Sequence, residues 1–223
     1  MISSTAQDRR HRRRQETIEE VLDVAVAIMA EHGVAGLSIG EIARRLGIRP
    51  PSLYVYFPSK HALYDALFER GARSVLAALS PLQEPPPDGL SLEEYLRRSG
   101  AAFIRWSVEN PAYSQLLFWR PVPGFTPSPA AYAPATQLVE RNQACIAALQ
   151  RRGAVRSDVD AATVHRDWTI LVSGVVSQQL ANAPSESFEE GRFPRALDSL
   201  VAMFVRHYAR PAAHGGTDRA HDR

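Results

Sequence analysis

Apolar residues recur at helical spacing along almost the whole chain, and no segment alternates clearly between apolar and polar residues as a strand would. Between residues 17 and 31 they follow the i, i+3, i+4, i+7 series of one helix face. The same period returns in later segments, which are separated by stretches rich in proline and glycine. The pattern therefore predicts an all-α protein of about nine helices.

Three of these helices fall within the first 60 residues, and the second and third are short. Ser38 followed by Glu41 forms a capping box, which indicates a helix that begins at Ser38 and is ended by Gly47. Pro50 and Pro51 suit the first turn of a third helix, because the N–H groups of that turn have no helical partner. Two short helices joined by a tight glycine turn are typical of a helix-turn-helix.

The later helices are interrupted at residues 81–91 and again at residues 120–134, where five prolines occur. We expect the second interruption to be a loop, so that the next helix begins near residue 135. The helix from about Ala161 to Leu180 is unusually apolar. Such a helix is buried on both sides, either in a large core or at a contact between subunits.

Composition narrows the classes of function. With 45% hydrophobic and 22% charged residues the chain has the profile of a soluble globular protein, and its net charge is only +2. A nucleic-acid surface would therefore need local clustering. The run RRHRRR at residues 9–14 fits either a solvated arm or an arm that pairs with phosphates. A lone cysteine, no signal-peptide core and no membrane-length apolar run lead us to expect a cytoplasmic protein without a membrane partner.

Residues 17–67 resemble the DNA-binding domain of the TetR/AcrR family of bacterial transcriptional regulators. The motifs that carry the resemblance are HG at 32–33, LSIGEIA at 37–43, LGI at 46–48, SLYVYF at 52–57, and Lys60 with Leu63 after it. The resemblance implies a homodimeric regulator of the repressor type that binds a palindromic DNA operator and is released by a small, apolar effector. It also implies a helix-turn-helix domain (15–62) followed by a ligand-binding and dimerisation domain (63–210). From charge and composition we expect a basic disordered arm (1–14) before them and a disordered tail (211–223) after them.

DNA contacts are predicted around the two short helices. Ser38 can present its hydroxyl and N–H to a phosphate, while Arg49 and Ser52 are best placed to reach base edges. The resemblance implies phosphate contacts for Tyr54 and Lys60. Prolines at 50 and 51 replace the Lys–Gly that is common in the family, so which side chain reads which base stays open. The full predicted set is Arg14, Ser38, Arg49, Ser52, Tyr54, Tyr56 and Lys60.

Seven aromatic residues lie between residues 100 and 132, with little charge among them. They fit either a pocket for a bulky apolar ligand or an ordinary core. The predicted ligand contacts are Phe103, Trp106, Tyr113, Phe118, Trp119, Phe125 and Trp168. The apolar helix beyond Ala161 and the last helix predict a four-helix dimer contact through Val164, Trp168, Leu171, Val172, Val175, Leu200 and Phe204.

Two other functions remain open. The same sequence suits a DNA-binding protein that has no effector. GLSIG at residues 36–40 matches the G-x-S-x-G of serine hydrolases, although that motif needs a strand before the serine, and here a helix precedes it. We expect no enzyme activity, no cofactor and no metal, because the seven histidines are scattered without the spacing of metal ligands and no glycine-rich phosphate loop is present.

Overall fold

The computed structural model describes residues 2–82 and 88–209, with side chains from residue 7 onward. Within these ranges the chain folds into nine α-helices and three single-turn 3-10 helices, and its sole β-type contact is a bridge between Val155 and Ala209. The predicted all-α class is confirmed. The predicted disordered tail at 211–223 lies outside the described residues.

The helices follow one another closely. They are α1 (Ile2–His32), α2 (Ile39–Arg45), α3 (Pro50–Tyr54), α4 (Lys60–Leu79), α5 (Leu92–Glu109), α6 (Pro111–Phe118), α7 (Pro129–Arg151), α8 (Ala161–Asn182) and α9 (Leu197–Tyr208). Among the helices of these ranges, none is both long enough and apolar enough to cross a membrane.

The first helix is much longer than its apolar pattern indicates. Residues 2–14, which we expected to form part of a disordered arm, continue α1 without a break. The reason is local: no glycine or proline occurs between residues 2 and 32, and arginine is a good helix former. A high density of charge therefore does not by itself unfold this segment.

The N-terminal core is formed where α1, α2 and α3 pack against the first half of α4. Ile28, Ile42 and Leu63 are fully buried there. Tyr64 is also buried, and its hydroxyl donates a hydrogen bond to the Val34 carbonyl at 2.7 Å. The turn between α2 and α3 depends on Gly47, whose φ of 66° is a left-handed conformation that favours glycine.

The C-terminal core is formed by α5, α8 and α9, with α7 closing one side. α5 approaches its neighbours closely at Gly100. A Cβ atom there would lie 2.8 Å from Cζ2 of Trp168 on α8 and 2.9 Å from Cδ1 of Leu197 on α9. The glycine therefore allows three helices to meet. α4 extends from the N-terminal core along α5, α6 and α7, so that it belongs to both halves of the molecule.

The start of α7 differs from the sequence prediction, because the helix begins at Pro129 and not near residue 135. Ser128 provides the cap: its Oγ accepts a hydrogen bond from the Ala131 N–H at 3.2 Å. Pro129 follows at the first helical position, where the missing N–H costs nothing. The cap is tied to α4, since the Ser128 N–H and hydroxyl donate to the Asp65 carboxylate at 2.6 and 2.7 Å.

Candidate nucleic-acid interface and internal cavity

Side-chain caps fix the starts of α2 and α4, the helices on either side of α3. The Glu41 N–H donates to Ser38 Oγ at 3.5 Å before α2, and the Ala62 N–H donates to Ser59 Oγ at 3.0 Å before α4. Arg49 precedes α3 in an extended conformation, as a residue before proline should. The α3 helix has only five residues and depends on its buried Leu53 for anchorage.

Around α3 the predicted DNA contacts reach solvent. Tyr54 is 50% exposed, and Arg49, Ser52 and Lys60 are also exposed, whereas Tyr56 is half-buried. Leu53 and Phe57 point the other way, into the core. One side of α3 is therefore exposed, and Ser52 and Tyr54 supply its polar groups.

Arg14 connects α1 to this surface. Its Nη2 donates to the Val55 carbonyl at 3.4 Å, and its guanidinium lies 5.1 Å from the centre of the Tyr56 ring. The last residue of the basic run is thus held beside the C-terminal end of α3. The structure brings Arg14 together with the tyrosine-containing end of α3, although 41 residues separate Arg14 from Val55 in the chain.

The two arginines of α2 are neutralised by acidic partners. Arg44 and Arg45 both donate to Glu41, at 2.7 to 2.8 Å, and Arg45 also donates to Glu31 at 2.5 Å. Hydrogen bonds from Arg44 and then from Arg45 lower the pKa of Glu41 to about 2, so that its carboxylate stays charged near neutral pH. In the described structure Arg49 and Lys60 have no such carboxylate partner. The i, i+3 and i, i+4 spacing of Glu41 to the arginines is the signal that sequence analysis overlooked.

A mostly apolar cavity of about 300 Å³ lies in the C-terminal half, between α4, α5, α6, α7 and α8. No charged side chain occurs among the described residues that line it. Its polar groups include the Tyr95 hydroxyl, which donates to Asn142 at 3.4 Å. On α8, the His165 ring lies 3.4 Å from the Thr169 hydroxyl, and burial lowers the pKa of His165, which favours the neutral ring.

Three of the predicted ligand contacts, Phe103, Phe118 and Trp168, line this cavity. Trp106 and Tyr113 do not, because both are buried in contacts with α4. The Trp106 Nε1–H donates to Ser74 Oγ at 3.0 Å, and the Tyr113 hydroxyl accepts from Arg70 Nε at 2.5 Å. Helical spacing identifies such aromatics as buried, but it does not tell which of them face an empty space.

The other two predicted ligand contacts also lie away from the cavity. Phe125 packs on Tyr64 near the start of α4, with ring centres 5.6 Å apart, and Trp119 is 41% exposed. Sequence analysis missed the contribution of α4 to the lining. Its signal was an apolar stripe at helical spacing, which consists of Phe68, Ala72, Val75 and Leu79.

The predicted dimer contacts are mostly used within the single chain. Five of them are buried in its own core, namely Val164, Trp168, Val172, Val175 and Phe204, while Leu171 and Leu200 are half-buried. The exposed apolar side chains of the same two helices are Ile170 on α8, 63% exposed, and Met203 on α9, 54% exposed. An apolar helix pattern indicates burial without distinguishing a core from a subunit contact.

Neither the hydrolase motif nor a metal site finds structural support. A 3-10 helix at Val34–Gly36, and not a strand, precedes Ser38, whose side-chain oxygen caps α2. The strained elbow that a G-x-S-x-G nucleophile needs is therefore absent at this position. The described ranges also contain no group of three histidine, cysteine or acidic residues that could hold a metal ion.

A helix-turn-helix followed by a helical domain with an internal cavity defines a class of DNA-binding regulators, and comparisons with known proteins agree. Residues 21–67 match the family described as bacterial regulatory proteins, tetR family. The chain is 25% identical over 205 residues to the tetracycline repressor protein class C of Escherichia coli, a match that covers 92% of this chain and 85% of that repressor.

A second relative is the HTH-type transcriptional regulator Rv1816 of Mycobacterium tuberculosis, which is 31% identical over 150 residues. That match covers 67% of this chain and 64% of Rv1816. The crystal structure of the TetR-family regulator PfmR from Thermus thermophilus superposes with a TM-score of 0.66 at 20% identity, over 83% of this chain and 97% of that one. Residues 21–67 therefore form a helix-turn-helix DNA-binding domain of the TetR family, and the relatives that share it are transcriptional regulators.

Proposed function

We propose that the protein is a repressor that binds a palindromic DNA operator as a homodimer and leaves it when a small, apolar effector occupies the cavity. The observation that carries this proposal is the position of α4. Its first residue, Lys60, lies exposed beside α3, and its later turns line the cavity from Phe68 to Leu79. An effector that binds the DNA-free form more tightly shifts the population toward that form.

The cavity limits the chemistry of the effector. Its volume of about 300 Å³ is about ten times the ~30 Å³ that a water molecule occupies in the liquid, which suits a molecule on the order of ten non-hydrogen atoms. A charged group would have to be buried without an ionic partner, at a high cost in desolvation. We therefore infer an uncharged, mainly apolar effector that can form hydrogen bonds near Tyr95, Asn142 and His165.

The outer face of α8 and α9 supports the proposed homodimer. Ile170 and Met203 are large, apolar and exposed on two helices that pack against each other. Gly174, one turn after Ile170, has open space around the position of a Cβ atom, so another helix can approach closely. A two-fold contact on this face would give the dimer two copies of α3, as two half-sites about 34 Å apart require.

Repression is inferred from the relatives. The E. coli protein that matches over 85% of its length is by name a tetracycline repressor. The name of that relative does not specify the effector of this chain.

The test is fluorescence anisotropy of the protein on labelled DNA from beside its own gene, at several salt concentrations. Lys60→Ala removes a cation from a candidate phosphate contact and should reduce the salt slope of log K by about 0.9 for each protomer. Tyr54→Ala removes a neutral candidate contact and should lower DNA affinity with little change in that slope. Arg195→Ala is the matched control, because this exposed arginine precedes α9 in the C-terminal half. A folded protein that binds neither this DNA nor a random pool at low salt would contradict the proposal.

The same assay then tests the effector with a panel of small neutral apolar compounds. We expect some members to lower DNA affinity, and a carboxylate analogue of each active compound to act more weakly. DNA binding that no member of the panel changes would instead favour a regulator without an effector. Transcription from the neighbouring promoter, with and without the protein, decides between repression and activation.

A further inference from the structure

We propose that the N-terminal part of α1 is a second DNA-binding element, which holds phosphates outside the base pairs that α3 contacts. This inference rests on the proposed DNA binding and adds a site to it. Residues 9–14 contain five arginines and one histidine, with no acidic residue among them. All six are exposed, and they lie in a regular helix rather than in a loose arm.

The contact of Arg14 with α3 gives the helix a defined orientation. In an α-helix, residues four apart lie on the same face about 6 Å from each other along the axis. Arg10 is therefore on the face of Arg14, and Arg13 is within about 100° of it. Arg9 and Arg12 lie on the far side. The helix thus presents one pair of arginines toward the side where α3 lies and a second pair away from it.

The charge distribution of the DNA-binding half favours this segment as a phosphate site. Eleven lysine and arginine residues occur between residues 7 and 79, and four of them are paired with carboxylates in the described structure. The paired ones are Arg44, Arg45, Arg70 and Arg73. Of the other seven, five belong to the run at 9–14, and the remaining two are Arg49 and Lys60.

Arginines that form no ion pair in the described structure can release counterions from phosphates without first breaking such a pair. The distance from Arg14 to Arg9 is about 7.5 Å along the helix axis, which corresponds to about two base-pair steps of 3.4 Å. We therefore expect the segment to add one or two phosphate contacts for each protomer, next to the contacts of α3.

The experiment compares two double variants with equal loss of charge. Arg10→Gln with Arg13→Gln removes the pair on the side of α3, whereas Arg9→Gln with Arg12→Gln removes the pair on the far side. Glutamine preserves helix propensity, and circular dichroism checks that α1 remains helical. DNA affinity is measured by anisotropy across a salt series, and hydroxyl-radical footprinting records which sugars are protected.

We expect the first variant to reduce the salt slope by up to about 1.8 for each protomer and to lose protection beside the α3 contacts. The second variant should keep the footprint of the unaltered protein and most of its slope. Equal losses in the two variants would mean that the run acts as diffuse charge, and no loss in either would mean that it does not meet DNA; both results overturn the inference. If the unaltered protein itself binds no DNA, the proposed function fails first.

Discussion

The DNA-binding half and the cavity-containing half of this chain use their polar and apolar groups in opposite ways. Around α3, Leu53 and Phe57 are buried while polar side chains reach solvent, and Arg49 and Lys60 have no carboxylate partner in the described structure. Around the cavity, the side chains that face inward are uncharged, and space remains between five helices. A surface that reads DNA needs fixed positions, whereas a site that senses an apolar molecule needs room.

The two halves meet at α4 and α6. The Arg70 guanidinium on α4 donates to the Tyr113 hydroxyl on α6 and to Glu19 and Asp23 on α1, at 2.5 to 3.1 Å. α6 also contributes Phe118 to the cavity. The cavity and the N-terminal core are therefore linked through α6 and Arg70, and variants at this junction can test the link.

The largest expected effect is the loss of the anchor of α3. Leu53→Ala should lower the free energy of unfolding by about 2–5 kcal/mol, because a buried leucine leaves a cavity when it is truncated. DNA affinity should be lost as well, since a five-residue helix has little stability of its own. Urea denaturation and anisotropy measure the two effects.

The control for Leu53→Ala is Val55→Ala in the adjoining turn. Val55 is 67% exposed, so we expect its truncation to change the free energy of unfolding by less than about 0.5 kcal/mol. Similar losses of stability in both variants would show that the N-terminal half is not the rigid element that the comparison assumes.

A second, smaller effect is expected at the junction of α4 and α6. A Cβ atom at Gly71 would lie 2.6 Å from Cδ1 of Tyr113, so Gly71→Ala has to displace the ring and with it α6. We expect a loss of about 1–3 kcal/mol, which corresponds to about 2–4 °C in Tm for each kcal/mol in a chain of this size.

Gly40→Ala in α2 is the matched control for the junction, because the position of its Cβ has only an ordinary contact, 3.7 Å from Ser38 Oγ. There the greater helix propensity of alanine should maintain or slightly raise Tm. A Gly71→Ala protein with an unchanged Tm and an unchanged response to effector would show that α6 does not couple the two halves.

The two halves also differ in how far their sequence predicts them. The helix-turn-helix could be inferred from short motifs, because its helix ends are set by local hydrogen bonds and backbone angles. The residues that set them are Ser38, Gly47 and the Pro50–Pro51 pair. The cavity needs side chains from five helices, and no local signal reports their arrangement. Phe103 lines the cavity, whereas Trp106, three residues later, donates to Ser74 in the core.

The same limit applies to the subunit contact and to the first helix. On α8, Val172 is buried within the chain while Ile170 is exposed, and only the tertiary packing decides between them. In α1, charge density suggested disorder, but the uninterrupted run of helix-forming residues prevailed. The TetR-type DNA-binding domain could be identified from the locally encoded half, and the all-α class from the helical period along the chain.

Filling the cavity should alter sensing more than stability. Ala135 lines the cavity from α7, and Ala135→Leu places a larger side chain into the empty space, with an expected change in stability of up to about 2 kcal/mol in the favourable direction. DNA affinity should be retained while the response to an active neutral compound is lost. Anisotropy titrations of compound at fixed DNA measure this loss.

Ala133→Leu is the corresponding control, because Ala133 is exposed on the same helix and does not belong to the described lining. This variant should respond to the compound as the unaltered protein does. An Ala135→Leu protein that still releases DNA at the same compound concentration would place the effector outside the cavity.

The smallest effect on stability and DNA binding is expected from the ion pairs of α2. Glu41→Gln removes the carboxylate partner of Arg44 and one of the two carboxylate partners of Arg45. Because the pKa of Glu41 is lowered from 4.5 to about 2, its ionised form stabilises the folded state above pH 4.5, and this contribution is lost as the pH falls toward 2. The free energy of unfolding of the variant should therefore depend less on pH between about 2 and 4.5.

The arginines that Glu41→Gln releases should raise non-specific DNA affinity a few-fold at low salt and increase the salt slope by up to about 1 for each phosphate reached. Glu93→Gln, which removes a partner of Arg97 on α5, should leave DNA binding unchanged. If Glu41→Gln weakens DNA binding instead, the carboxylate serves the DNA-binding surface by positioning the arginines and not by neutralising them.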